Sequence, residues 1–129
     1  MGENMNTRPN IVISCVDMAV IEHHLDETRL PREFLDELEV ELARAKIVEP
    51  NVMPANVACL NRQVTFKVLE TGKVFTKTLT APDQVDKYDD SLSVFAPLGA
   101  ALIGLSVGQS IQWKTNRGLQ SVEIVHVAS

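Results

Sequence analysis

Asp26 and Glu27 are adjacent carboxylates at what reads as the end of a helix. Such a pair can hold Mg²⁺ through one or two direct ligands, with water completing the shell, although a solvated helix end is the simpler account. His23, His24 and His126 raise the question of a transition metal. Neighbouring helical residues point about 100° apart, so His23 and His24 do not converge on one ion, and no Cys or carboxylate spacing completes a zinc set. Gly99-Ala-Ala-Leu-Ile-Gly104 has the glycine spacing of a phosphate-binding loop, but Leu105 and Ser106 follow where Lys and Ser or Thr are required. No Gly-x-Ser-x-Gly elbow is present for a serine hydrolase. Cys15 and Cys59 both lie in apolar surroundings and read as core thiols. From these residues neither a catalytic group nor a metal or other cofactor is expected.

Composition narrows the class further. The 129 residues are 45% hydrophobic and 22% charged, with a net charge of −5, which suits one globular domain or two very small ones. The acidity is concentrated: residues 1–50 carry eleven acids against five Lys or Arg, and residues 51–129 carry six against seven. A phosphate-contacting surface needs clustered cations, so the charge argues against nucleic-acid binding by the first half, and no sequence-specific DNA binding is expected. The start lacks an apolar leader, and no run reaches the roughly 18 apolar residues of a spanning helix. A cytoplasmic protein with no membrane partner is the expectation.

The elements that must position these residues follow from periodicity. Asn10–Ser14 reads as a short strand, and Ser14-Cys-Val-Asp17 as a capping signal for a helix from Asp17 to Glu27, with Met18, Ile21 and Leu25 on one face. Pro31 starts a second helix to Ile47, whose Leu35, Leu38, Leu42 and Ala45 form a narrow seam. The two helices make an antiparallel hairpin with its tip near Asp26–Leu30. Glu33, Glu37 and Glu41 form an acidic row on the second helix, either a solvated face or a surface toward a basic partner. Glu49-Pro-Asn-Val-Met-Pro54 ends helical structure and divides residues 1–49 from 50–129.

Strands are predicted at Val57–Leu60, Val64–Leu69, Val74–Thr80, Leu92–Phe95, Ser110–Thr115 and Leu119–Val127. A hairpin turn falls at Glu70–Lys73, and a polar loop at Ala81–Asp90. A short helix begins at Pro97, and Gly104 and Gly108 are suited to corners. The fold class is α+β.

The run Phe95-Ala-Pro-Leu-Gly-Ala-Ala-Leu-Ile-Gly-Leu-Ser-Val-Gly-Gln-Ser-Ile-Gln-Trp113, following an acidic helical hairpin, resembles the Gre transcript-elongation factor family over about Arg8 to Val127. The resemblance implies a short coiled-coil hairpin followed by an FKBP-like antiparallel β domain around one short helix. It also implies docking on RNA polymerase at the rim of the secondary channel. The docking corner carries over onto Phe95, Ala96, Pro97, Leu98 and Ala100. Ala96 replaces the family's usual hydroxyl, Phe95 stands where a polar or acidic residue is common, and Ala100 where Arg is frequent. In the cleavage factors, acids at the tip of a much longer hairpin help to hold catalytic Mg²⁺. The tip here is Asp26, Glu27 and Arg29, on a first helix of about three turns, so these acids are expected to fall short of the polymerase active centre. The expectation is a monomeric, non-enzymatic polymerase-binding regulator that competes with longer Gre-type factors. The alternatives are an active cleavage factor or a peptidyl-prolyl isomerase. Isomerase activity rests on fold analogy alone and needs an aromatic-lined pocket, for which only six aromatics are present, Phe34 among them in the hairpin.

Overall fold

The computed structural model describes residues 10–26, 29–115 and 118–128. Strand β1 (Val12–Ser14) runs directly into helix α1 (Cys15–Leu25). Ser14 makes the junction: its backbone is still extended while its Oγ accepts the Asp17 N–H at 3.0 Å, satisfying a donor that the helix start leaves without an intrahelical partner.

Helix α2 (Arg32–Ala43) starts after Pro31 as expected but stops four residues before the predicted Ile47. Its last turn is tied off locally, with the Arg44 guanidinium on the Glu41 carboxylate at 2.7 Å and the Arg44 N–H on the Glu41 carbonyl at 3.3 Å. Lys46–Val48 then leave as strand β2 and pair in parallel with β1, Val12 opposite Lys46 and Ser14 opposite Val48. The β-branched Ile47 and Val48 suit an extended chain, and β1 needs a partner for its backbone groups. Parallel strands cannot be joined by a tight turn. The helical hairpin is therefore the crossover of a two-stranded sheet, and that sheet clamps its base.

The second sheet is built from β3 (Gln63–Val68), β4 (Val74–Thr80), β5 (Ser91–Ser93), β6 (Ser110–Thr115) and β7 (Gly118–Val127), in the order β5-β4-β3-β7-β6. Its pairings are antiparallel except that edge strand β5 runs parallel to β4. Val64, Phe66 and Val68 alternate inward along β3, as their period of two requires. Helix α3 (Pro97–Leu102) follows β5. The predicted loop 81–90 contains a 3₁₀ segment at Pro82–Lys87.

Val57–Leu60 is not a strand. Its side chains are buried, but only Val57 bridges another segment, at Ser106; the Ala58 N–H goes to the Leu105 carbonyl at 2.8 Å and the Leu60 N–H to Asp17. Apolar residues indicated burial correctly, and the loop after α3, rather than a sheet ladder, satisfies the backbone.

One continuous core crosses the proline-marked division at 49/50. Ile13 and Ile21 from β1 and α1, and Leu38 and Leu42 from α2, belong to the same buried cluster as Phe66, Leu79, Leu102, Leu105 and Ile124. Gly104 lets β1 approach: its φ is +84°, a Cβ there would lie 2.9 Å from the Ile11 Cβ, and its carbonyl accepts the Val12 N–H at 3.1 Å. No helix among the described residues is long and apolar enough to cross a membrane.

Candidate functional site

The corner between β5 and α3 is fixed from below. Ser93 holds it twice, its Oγ accepting the Phe95 N–H and its carbonyl the Ala96 N–H, each at 3.0 Å. Ala96 occupies the cap position with extended backbone and has no hydroxyl to close the helix start. Pro97 follows at the first helical position, where its missing N–H costs nothing. The Ala100 N–H returns to the Ala96 carbonyl at 2.8 Å.

Of the five corner residues predicted from the resemblance, only Pro97 is exposed; Ala96, Leu98 and Ala100 are half-buried. Phe95 is not on the surface. Its side chain is 7% exposed and belongs to the core, where the His24 imidazole of α1 meets it edge-on at 6.4 Å between ring centroids. An aromatic side chain at the foot of a short helix has more apolar area to bury than the corner can expose, so it turns inward. The residue that sequence reasoning missed is Gly99. A Cβ there would lie 2.0 Å from the Ser93 carbonyl oxygen, so α3 can pack this closely on β5 only if position 99 lacks a side chain. The available signal was a glycine inside a short helix, where propensity disfavours it.

At the other end, Asp26 caps α1 in an exposed position, its N–H on the His24 carbonyl, and Arg29 is exposed. Glu27 lies outside the described residues. Among the described residues no group of three or more His, Cys, Asp or Glu converges as a metal site. His24 Nε2 instead stands 3.3 Å from Asp83 Oδ1 on the 3₁₀ segment, while His126 lies on β7.

Polar contacts along α1 join the hairpin to the sheet-rich part: His24 to Asp83, and Asp17 Oδ2 accepting the Leu60 N–H at 3.2 Å. Burial pushes the Asp17 carboxyl above its ordinary value, opposed by the Leu60 N–H and the Arg62 guanidinium. Arg62 also donates to the Pro54 and Val57 carbonyls at 3.0 and 3.1 Å, pinning the connecting segment. Burial likewise pushes the Cys59 thiol up to about 11, so it stays protonated in the core. Cys15 is half-buried, with its Sγ 3.6 Å from Glu49 Oε2.

The sequence pattern of the family described as "Transcription elongation factor, GreA/GreB, C-term" matches residues 53–129, the span that carries the sheet, the corner and α3. The chain belongs to the GreA/GreB family. Within it the chain stands close to the regulator of nucleoside diphosphate kinase of Escherichia coli K12, 39% identical over 116 residues that cover 88% of this chain and 84% of that one. The GreA of Syntrophobacter fumaroxidans is 30% identical over 93 residues, covering 72% of this chain and 60% of that protein. Among solved structures, the GreA/GreB factor of Nitrosomonas europaea is 37% identical and superposes with a TM-score of 0.75, covering 95% of this chain and all of that one. Gfh1 of Thermus aquaticus, 16% identical with a TM-score of 0.52, shares the fold alone. These GreA/GreB relatives make the chain a transcription-elongation-factor-like regulator of mixed α+β architecture, and they are named as regulators and factors rather than as enzymes.

Proposed function

We propose that this GreA/GreB-family chain acts without catalysis of its own, docking on RNA polymerase at the rim of the secondary channel through the Pro97 corner and competing there with longer Gre-type factors. The observation that carries this reading is the corner itself: an exposed Pro97 on a helix start that Ser93 and Gly99 hold in one geometry. A docking element of this kind needs a small apolar projection on a rigid base, because immobilising a mobile loop consumes binding free energy. The helices support the second half of the reading. Eleven and twelve residues at 1.5 Å each span only about 16–18 Å, which keeps Asp26 close to the body of the protein. On this account an effect on nucleoside diphosphate kinase, the target in the name of the Escherichia coli relative, is indirect and runs through transcription.

The test is competition on backtracked elongation complexes. Increasing amounts of the chain should suppress cleavage stimulated by a GreA-type factor while producing no cleavage alone. Cleavage by the chain alone that disappears in Asp26→Asn would overturn the non-catalytic part. Undiminished GreA-type cleavage at saturating chain would overturn the competition.

A further inference from the structure

The groove between the hairpin helices and β2 is not a plain solvated surface. On α1, Ile21 and His24 face the sheet-rich part, while Met18, Glu22, Leu25 and Asp26 line a groove of about 650 Å³ against α2 and β2. Across the groove stand Glu39, Leu42 and Ala43 of α2, then Ala45 and Ile47. Six of the nine lining residues are apolar, and Ile47 among them is 45% exposed on a strand that pairs on one edge only, with β1. The rim is acidic on both sides, Glu22 and Asp26 from α1 and Glu39 from α2. None of these three carboxylates has an ion-pair partner among the described residues. Arg44, the cation nearest the end of α2, is already committed to Glu41 at 2.7 Å.

We infer that this groove is a second docking surface, and that its occupant is a basic amphipathic segment of the polymerase, with apolar side chains on the floor and Lys or Arg against the rim. The inference rests on the polymerase reading above and adds a contact separate from the Pro97 corner. Charge selects the occupant. A nucleic acid or an anionic membrane would meet carboxylates on both walls, and a second copy of this chain, at a net charge of −5, would bring its own acidic groove. An apolar segment without cations would leave the rim carboxylates desolvated and unpaired. A cationic amphipathic segment is the partner that satisfies both floor and rim.

The experiment measures equilibrium binding of the full chain to core RNA polymerase at two salt concentrations. The groove variants are Glu22→Lys with Glu39→Lys, and separately Ile47→Asp. The double variant Glu33→Lys with Glu37→Lys makes the same charge change outside the groove, and Pro97→Ala reports the corner. All substituted groove positions are exposed, and circular dichroism confirms the fold of each variant. The groove variants should bind about tenfold more weakly or worse, with the charge-reversed pair also losing salt dependence. The Glu33/Glu37 pair should bind as the wild type does. Wild-type affinity in both groove variants, while Pro97→Ala is impaired, overturns the groove and leaves the corner standing. Equal weakening by the Glu33/Glu37 pair also overturns it, since net charge alone would then be responsible. If the wild type itself fails to bind, the polymerase reading falls and the groove's occupant with it.

Discussion

Gly99 and Phe95 shape the corner without presenting anything to a partner. Placing a Cβ 2.0 Å from the Ser93 carbonyl requires α3 to move off β5, so Gly99→Ala should lower stability by about 1–3 kcal/mol and disturb the Pro97 loop, as measured by urea unfolding. A variant as stable as the wild type would mean that the helix can shift freely. Sequence reading marked Phe95 as a contact residue because it occupies a docking position by resemblance; burial assigns it to the core instead. That outcome depends on which way one side chain turns at a strand end, and linear spacing does not specify this. Asp17 carries a second residue-scale prediction. Its folded carboxyl lies above the ordinary 3.8, so folding favours the protonated acid; that stability is complete below 3.8 and is lost as pH rises through the folded value. Asp17→Asn keeps an acceptor for the Leu60 N–H and removes the titration. Its stability relative to the wild type should therefore be more favourable at about pH 7 than at about pH 3. A difference that is flat with pH, or reversed, would contradict the assignment.

At the scale of elements, α2 and the longer strands were legible from their periods, and α1 and α3 from the capping signal at Ser14 and from Pro97. The stepped leucines of α2, Leu35, Leu38 and Leu42, are all buried. Strand β2 was not legible, because Lys46–Val48 continue the register of the preceding helix. Its pairing with β1 is long-range and is decided by an edge that needed a partner. The Lys46 N–H donates to the Ile11 carbonyl at 2.9 Å, so Lys46→Pro removes a donor that closes the base of the hairpin. It should cost about 1–3 kcal/mol, whereas Lys46→Ala should stay within about 0.5 kcal/mol in the same unfolding measurement. Equal effects would show that the two-stranded sheet is not what clamps the hairpin. Val57–Leu60 illustrates the complementary limit: its apolar run indicated burial, but a loop carbonyl and the Asp17 carboxylate, both remote in sequence, take its N–H groups.

For the whole molecule, the division at the two prolines separates helical from β-rich sequence, yet Ile21, Leu38, Phe66 and Ile124 lie in one core. The hairpin is therefore fixed on the body that carries the corner, joined along α1 by Asp17 to Leu60 and His24 to Asp83. A partner engaging the corner meets the acidic hairpin in a set orientation. The acidic bias of residues 1–50 was readable from composition alone, but the groove between α1, α2 and β2 was not, since it depends on β2 ending the second helix early. The measurement that tests the account most directly is equilibrium binding of the purified chain to core RNA polymerase, with Pro97→Ala measured in parallel. Alanine is a strong helix former and leaves α3 intact, so only the exposed ring is lost. The account predicts saturable wild-type binding at micromolar concentrations or below, weakened about tenfold by Pro97→Ala. No wild-type binding, or identical affinity for the two proteins, would contradict it.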